Sequence, residues 1–142
     1  MTLADVNVLI YAFRPESHFH AVCKSWLDSI VLANARFGVS PLALSAVARI
    51  LTNPRAFAPA NTPEQVFAFC DNLLGQPHCE IIEPGPRHWA IFRRLCLEAN
   101  VRGPTMSDAW YAALAIERGC TWITCDRDFA RFPGIKWREP DV

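Results

Sequence analysis

Five short apolar runs punctuate the chain, at about 3–6, 37–40, 80–82, 121–125 and 135–137. The intervals between the first four carry apolar residues at helical spacing. Runs this short suit buried strands. Helical connections between them suit crossovers from one parallel strand to the next. The pattern therefore predicts an α/β fold: a three-layer α/β/α sandwich around a mainly parallel sheet.

The helical intervals can be placed more closely. A short helix is expected at about 7–13. Ser17 is placed to cap the next, in which Phe19, Val22, Cys23, Trp26, Leu27, Ile30 and Val31 form one stripe. Pro41 opens a helix to about Leu51 that is apolar nearly all round and is expected to be buried. Asn53-Pro54 ends it, and 54–62 reads as a loop. Thr62-Pro63-Glu64 starts a helix to about Leu74, with Val66, Phe67, Cys70, Leu73 and Leu74 on one face. Pro86 opens another, striped by Trp89, Phe92, Leu95, Cys96 and Ala99. Ser107 is placed to cap a helix at 108–118 that stops at Gly119. No repeat or low-complexity tract interrupts the 142 residues, so one domain over 1–142 is expected.

Composition removes several classes. No apolar run reaches the roughly 18–20 residues that a membrane span needs, and Asp5 interrupts any signal-like core at the start. Six cysteines without CxxC spacing read as reduced core residues of a cytosolic protein rather than a disulfide frame or zinc site. Net charge is zero, which argues against a dedicated non-specific nucleic-acid binder. Twelve Arg against two Lys is nevertheless a marked bias, and arginine suits bidentate phosphate contacts. A genome rich in Arg codons explains that bias equally well.

Four aspartates stand where strands are expected to end and helices to begin. Asp5 closes the first apolar run, Asp108 opens an apolar helix, and Asp126 and Asp128 follow the run 121–125. In a parallel sheet, ligands bind beyond the carboxyl ends of the strands, which is where Asp5 and Asp126 fall. Two unit charges about 4 Å apart repel by about 4 kcal/mol at an effective dielectric near 20. Converging carboxylates therefore raise one another's pKa or recruit a cation. All-oxygen ligands select Mg²⁺ or Mn²⁺. Each acid also has a plain structural reading: Asp5 as a helix cap, Asp108 as a first-turn acid, Asp126 and Asp128 as turn formers. Individually these readings are as good as the functional one; together, at one predicted edge, they are weaker. His18, His20, His78 and His88 show no ligand spacing, and His78 and His88 read as surface residues. Ser45 lacks a glycine elbow, and no phosphate-binding glycine loop is present.

Asp5-Val6-Asn7, Ser107-Asp108-Ala109 and Thr124-Cys125-Asp126-Arg127-Asp128-Phe129 together resemble a PIN-domain nuclease, closest to the VapC-type toxins of bacterial toxin–antitoxin systems. Thr52-Asn53-Pro54-Arg55, Glu83-Pro84-Gly85-Pro86-Arg87-His88-Trp89 and the segment from Asp126 to Gly134 resemble a subgroup that shares a TNPR segment. The resemblance covers essentially the whole chain in order. It implies a Mg²⁺-dependent (or Mn²⁺-dependent) endoribonuclease acting on tRNA or other structured RNA, a cognate VapB-type antitoxin, and a homodimer. It makes Asp5, Asp108 and Asp126 the metal ligands and Asp128 a supporting acid, with Asn7 and Thr124 orienting them. Arg49, Arg55 and Arg127 are candidates for holding RNA phosphates. One departure stands out: many PIN nucleases carry a Glu where this chain has Ala46, which implies a leaner cation site. Two other readings follow from the sequence. One is a catalytically weakened PIN fold that binds RNA or antitoxin without cutting. The other is a phosphatase of haloacid-dehalogenase type, disfavoured because position 7 is Asn and lysine is scarce.

Overall fold

The computed structural model describes residues 1–141. Five strands form one sheet: β1 (Thr2–Ala4), β2 (Phe37–Val39), β3 (Cys79–Ile81), β4 (Thr121–Ile123) and β5 (Trp137–Arg138). Their order is β3-β2-β1-β4-β5, and every pairing is parallel. The sheet is thus wholly parallel rather than mainly so. The chain winds outward from β1 to β3, then returns to place β4 on the other side of β1. The β1/β4 junction is therefore a topological switch point, where open parallel sheets bind ligands.

Six helices are present among the described residues: α1 (Val6–Phe13), α2 (His20–Leu32), α3 (Pro41–Leu51), α4 (Pro63–Leu74), α5 (His88–Ala99) and α6 (Thr105–Arg118). Side chains alternate across each strand. Ala4 and Ile123 thus join the core formed with α1, α2, α3 and α4, around Val8, Trp26, Val47 and Leu73. Leu3 and Trp122 join the opposite core, with Leu95, Leu114 and Phe129. Helices cover both faces, as the three-layer expectation required.

Local chemistry sets several boundaries. Ser40 caps α3 by accepting from the Ala43 N–H at 3.3 Å, and Pro41 fills the first turn. Thr62 and Gln65 form a reciprocal capping box at α4, each bonding the other's backbone N–H. Gly119, at φ +67°, ends α6 in the left-handed region. The TNPR segment closes α3: the Thr52 hydroxyl donates to the Ala48 carbonyl at 2.7 Å, and Asn53 Oδ1 accepts from the Arg55 N–H at 3.0 Å.

Several expectations are corrected. Ser17 caps nothing; its hydroxyl accepts from Phe19 N–H, α2 begins at His20, and Phe19 is exposed. α3 is buried on one face only, since Leu42, Ser45 and Arg49 are exposed. Phe67 and Leu74 also lie outside the core on α4. α5 keeps most of its expected stripe, with Leu95 buried and Phe92, Cys96 and Ala99 packed on the core, but Trp89 is 71% exposed and His88, 4% exposed, is buried in its place. His88 is no surface residue. Its ring stacks on Phe92 and its Nε2 lies 3.0 Å from the Trp110 carbonyl. α6 starts at Thr105, not 108, because Pro104 already has helical angles and sits at the cap, so Ser107 lies inside the helix.

Candidate active site

Asp5 follows β1 directly, and its N–H donates to the Ile123 carbonyl of β4 at 2.8 Å. The ladder between the two central strands thus extends to Asp5 and fixes its backbone. Asp5 is the N-cap residue of α1 and its carbonyl accepts from the Val8 and Leu9 N–H groups, but its buried side chain does not make the usual capping bond. Instead the Thr124 hydroxyl, fully buried, donates to Asp5 Oδ2 at 2.6 Å. The same Thr124 oxygen accepts from the Asp126 N–H at 2.9 Å, and Asp126 Oδ1 accepts from the Asp128 N–H at 2.9 Å. A short relay therefore ties the acid after β1 to both acids after β4. Asp126 does act as a turn former, capping the 3₁₀ turn Arg127–Arg131. It thus forms the turn and also stands in the relay from Asp5.

Asn7 contributes through the backbone. Its Oδ1 accepts from the Cys125 N–H at 3.4 Å, holding the segment after β4 against α1 rather than orienting a carboxylate. Cys125 Sγ lies 3.6 Å from Cys23 Sγ of α2, which packs the same segment from the other side.

Electrostatics shows which acids converge. Burial pushes the Asp5 carboxyl up to about 6; the Thr124 hydroxyl and the Val6 N–H pull it back, and Asp108 and Asp126 push it further up. Asp108, in the first turn of α6, is also raised, by burial first and then by Asp126, with Arg131 opposing. Burial pushes the Tyr111 hydroxyl up to about 12; Asp5 and Asp108 add to this, and Arg49 opposes it. Asp5, Asp108 and Asp126 thus feel one another. Asp128 is exposed and lies at the rim.

The three candidate arginines separate. Arg49 stands near Tyr111 and lines a cleft of about 340 Å³ beside the acids. Arg55 is exposed in the turn after α3, where its N–H donates to Asn53 Oδ1. Arg127 pairs with Glu139 at 2.8 Å and lines a different cleft with Cys125. The cation facing the acids is instead Arg131, whose Nε donates to the Asp128 carbonyl at 3.0 Å and whose charge opposes that of Asp108. Arg131 is not among the residues expected from the sequence; its spacing three residues after Asp128, within a turn, is the signal that could have found it. Ala46 lines the cleft near Arg49, with no carboxylate in its place.

Among the described residues, no three His, Cys, Asp or Glu side chains are grouped closely enough to enclose an ion. Mg²⁺ commonly takes only one or two carboxylates and keeps several waters. An all-oxygen donor set in which Asp5 is raised by burial and by neighbouring acids fits such an ion. It does not form a closed protein cage. No described helix is long and apolar enough to cross a membrane.

The PIN domain family model matches residues 2–135. Ribonuclease VapC25 of Mycobacterium tuberculosis (strain ATCC 25618 / H37Rv) is 37% identical over 142 residues, the full length of both chains. Ribonuclease VapC43 of the same strain is 36% identical over 140 residues, covering 99% of this chain and 95% of the relative. Among solved structures, VapBC2 from Rickettsia felis bound to a promoter DNA fragment superposes with a TM-score of 0.74 at 19% identity, covering 99% of this chain and 98% of that one. VapBC-1 from nontypeable Haemophilus influenzae superposes at 0.71 and 16% identity, covering 97% and 96%. The structural likeness agrees with the all-parallel fold, and the sequence likeness runs from end to end: the chain belongs to the PIN domain family, among its VapC ribonucleases.

Proposed function

We propose that this chain is the toxin of a type II toxin–antitoxin pair, an endoribonuclease that hydrolyses RNA phosphodiester bonds with Mg²⁺ or Mn²⁺. The observation that carries this reading is the relay from Asp5 through Thr124 to Asp126, which gathers acids 121 positions apart at the β1/β4 switch point. Asp5 and Asp108 would hold the cation, with Asp126 completing the acidic edge and Asp128 assisting through water. A bound divalent ion supplies Lewis acidity, lowering the pKa of water and offsetting charge on the phosphate. The chain's own part is positional. Thr124 fixes the Asp5 carboxylate, the Asp126 turn presents the third acid, and Arg49 and Arg131 would offer cations to the RNA phosphates.

The partner reading follows the relatives: a VapB-type antitoxin, consistent with VapBC assemblies among the structural neighbours. A homodimer is supported by apolar side chains exposed on the helices, such as Phe67 and Leu97. We read residues 1–142 as one domain, with a cytoplasmic location and tRNA among the possible substrates. A second reading, a weakened PIN fold that binds RNA or antitoxin without cutting, is favoured by Ala46 and by the absence of a three-carboxylate cage among the described residues. Purified, antitoxin-free protein incubated with RNA and Mg²⁺ separates the two. Cleavage that Asp108→Asn removes supports the enzyme, and intact RNA at saturating Mg²⁺ and Mn²⁺ supports the binder.

A further inference from the structure

The cleft of about 340 Å³ between α3, α5 and α6 has walls of a particular kind. α6 supplies Trp110 and Tyr111, α5 supplies Phe92, and α3 supplies the small Ala46 with Arg49 beside it. Ser107, on the same wall, immediately precedes Asp108. Asp108 lies in the first turn of α6 between Ser107 and Trp110, both of which line the cleft, so the cleft adjoins the acid edge.

The walls are held from behind. His88 packs between Phe92 and Trp110, with ring centroids 6.2 Å and 4.8 Å away, and its Nε2 meets the Trp110 carbonyl. The Glu117 carboxylate of α6 accepts from the Gly85 and Arg87 N–H groups at 2.7 and 2.9 Å, tying the turn before α5 to α6. A side chain longer than Ala46 would project into this space. Aromatic walls with a cation at the lip suit the flat face of an unstacked base whose phosphate stays outside.

We propose that this cleft holds one unpaired nucleobase of the RNA, next to the phosphate presented to Asp5 and Asp108, and that Ala46 is the residue that leaves room for it. The inference rests on the nuclease reading above and narrows its substrate to RNA with a single-stranded nucleotide at the cut site. Phe92 and Trp110 stack on the base, Arg49 holds a flanking phosphate, and His88 is a positioning residue. Continuous duplex keeps its bases stacked and cannot supply one to the cleft.

The test uses full-length protein, a short single-stranded RNA without self-complementarity, a series of that RNA with one abasic site moved along it, and the blunt duplex of that RNA with its complement. Binding is read by fluorescence anisotropy with Asp108→Asn protein, and cleavage with protein carrying Asp108. Ala46→Leu fills the cleft, and its melting temperature reports that it folds. One base stacked on aromatics accounts for 1–3 kcal/mol, so a loss of about tenfold is expected. The inference predicts that loss for Ala46→Leu on intact RNA and for one abasic position on Ala46 protein, with no further loss when both are combined. It also predicts that the abasic position costs the duplex no binding, since its bases stay stacked. Equal binding of intact and abasic RNA by folded Ala46→Leu and Ala46 protein overturns it, even where cleavage is normal and the nuclease reading stands. A change of oligomeric state in Ala46→Leu without a change in RNA binding also overturns it, assigning the cleft to a second copy. Abasic-sensitive binding with no cleavage in Mg²⁺ upholds the cleft and overturns the nuclease reading instead.

Discussion

The Thr124 hydroxyl donates to Asp5 Oδ2 at 2.6 Å, joining residues 119 positions apart at the point where the sheet reverses its winding. Both groups are buried, so neither has solvent as a substitute partner. Thr124→Val keeps the shape and removes the donor, leaving a buried carboxylate short of a hydrogen bond. Such a loss costs about 1–3 kcal/mol. Denaturant melts at neutral pH should show that loss, and the acid limb of the RNA-cleavage profile should move to higher pH. Thr124→Ser should restore both.

Asp5 also sets a pH dependence. Its folded-state pKa of about 6 lies above the ordinary 3.8, so between those values the folded chain binds more protons than the unfolded chain. Stability without metal therefore falls as pH rises from about 4 to about 6 and stays lower above that. Asp5→Asn removes the loss and should stabilise metal-free protein at pH 7 by on the order of 3 kcal/mol, while abolishing cleavage. The difference in unfolding free energy between Asp5→Asn and Asp5 protein, measured across that range, reads this directly. A difference independent of pH contradicts it.

Arg131 opposes the raised pKa of Asp108 from one turn beyond Asp128. Arg131→Gln removes that positive charge, so the Asp108 carboxyl should titrate higher still and the acid edge should hold a divalent cation more tightly. The expected result is half-saturation at lower Mg²⁺ concentration, with weaker RNA binding, measured by metal titration and anisotropy.

Glu117 accepts two backbone N–H groups from the turn before α5 while remaining partly exposed. Glu117→Leu leaves both donors without this partner and should cost about 1 kcal/mol. Faster hydrogen exchange should appear at Gly85 and Arg87 rather than along the sheet.

Much of this site was legible in the sequence because it depends on local signals. Short apolar runs placed the strands, and an acid after each of two runs placed Asp5 and Asp126 on one edge. The burial of His88 in place of Trp89 at the start of the α5 stripe was not legible. Trp89 and His88 are neighbours, and periodicity favours the more apolar of the two, yet His88 is buried because the Trp110 carbonyl gives it a partner. Arg127, which sits between the two acids in sequence, was a candidate, and Arg131 was not. In the 3₁₀ turn that adjacency sends Arg127 to Glu139, while Arg131, three residues after Asp128, comes back toward the site. The start of α6 was misplaced because Ser107 has cap chemistry, whereas Pro104 supplies the helical backbone angles. Such choices between neighbours are settled by tertiary partners.

The central claim is that Asp5 and Asp108 act together on RNA. The most direct measurement is cleavage of a defined RNA by antitoxin-free protein in Mg²⁺, compared with Asp5→Asn, Asp108→Asn and Arg55→Ala. The account predicts at least a hundredfold loss in each aspartate variant, equivalent to about 2.7 kcal/mol or more of transition-state stabilisation. It predicts near-full activity in Arg55→Ala and none with Mg²⁺ removed by chelator. Cleavage that persists in both aspartate variants, or in chelator, would contradict it.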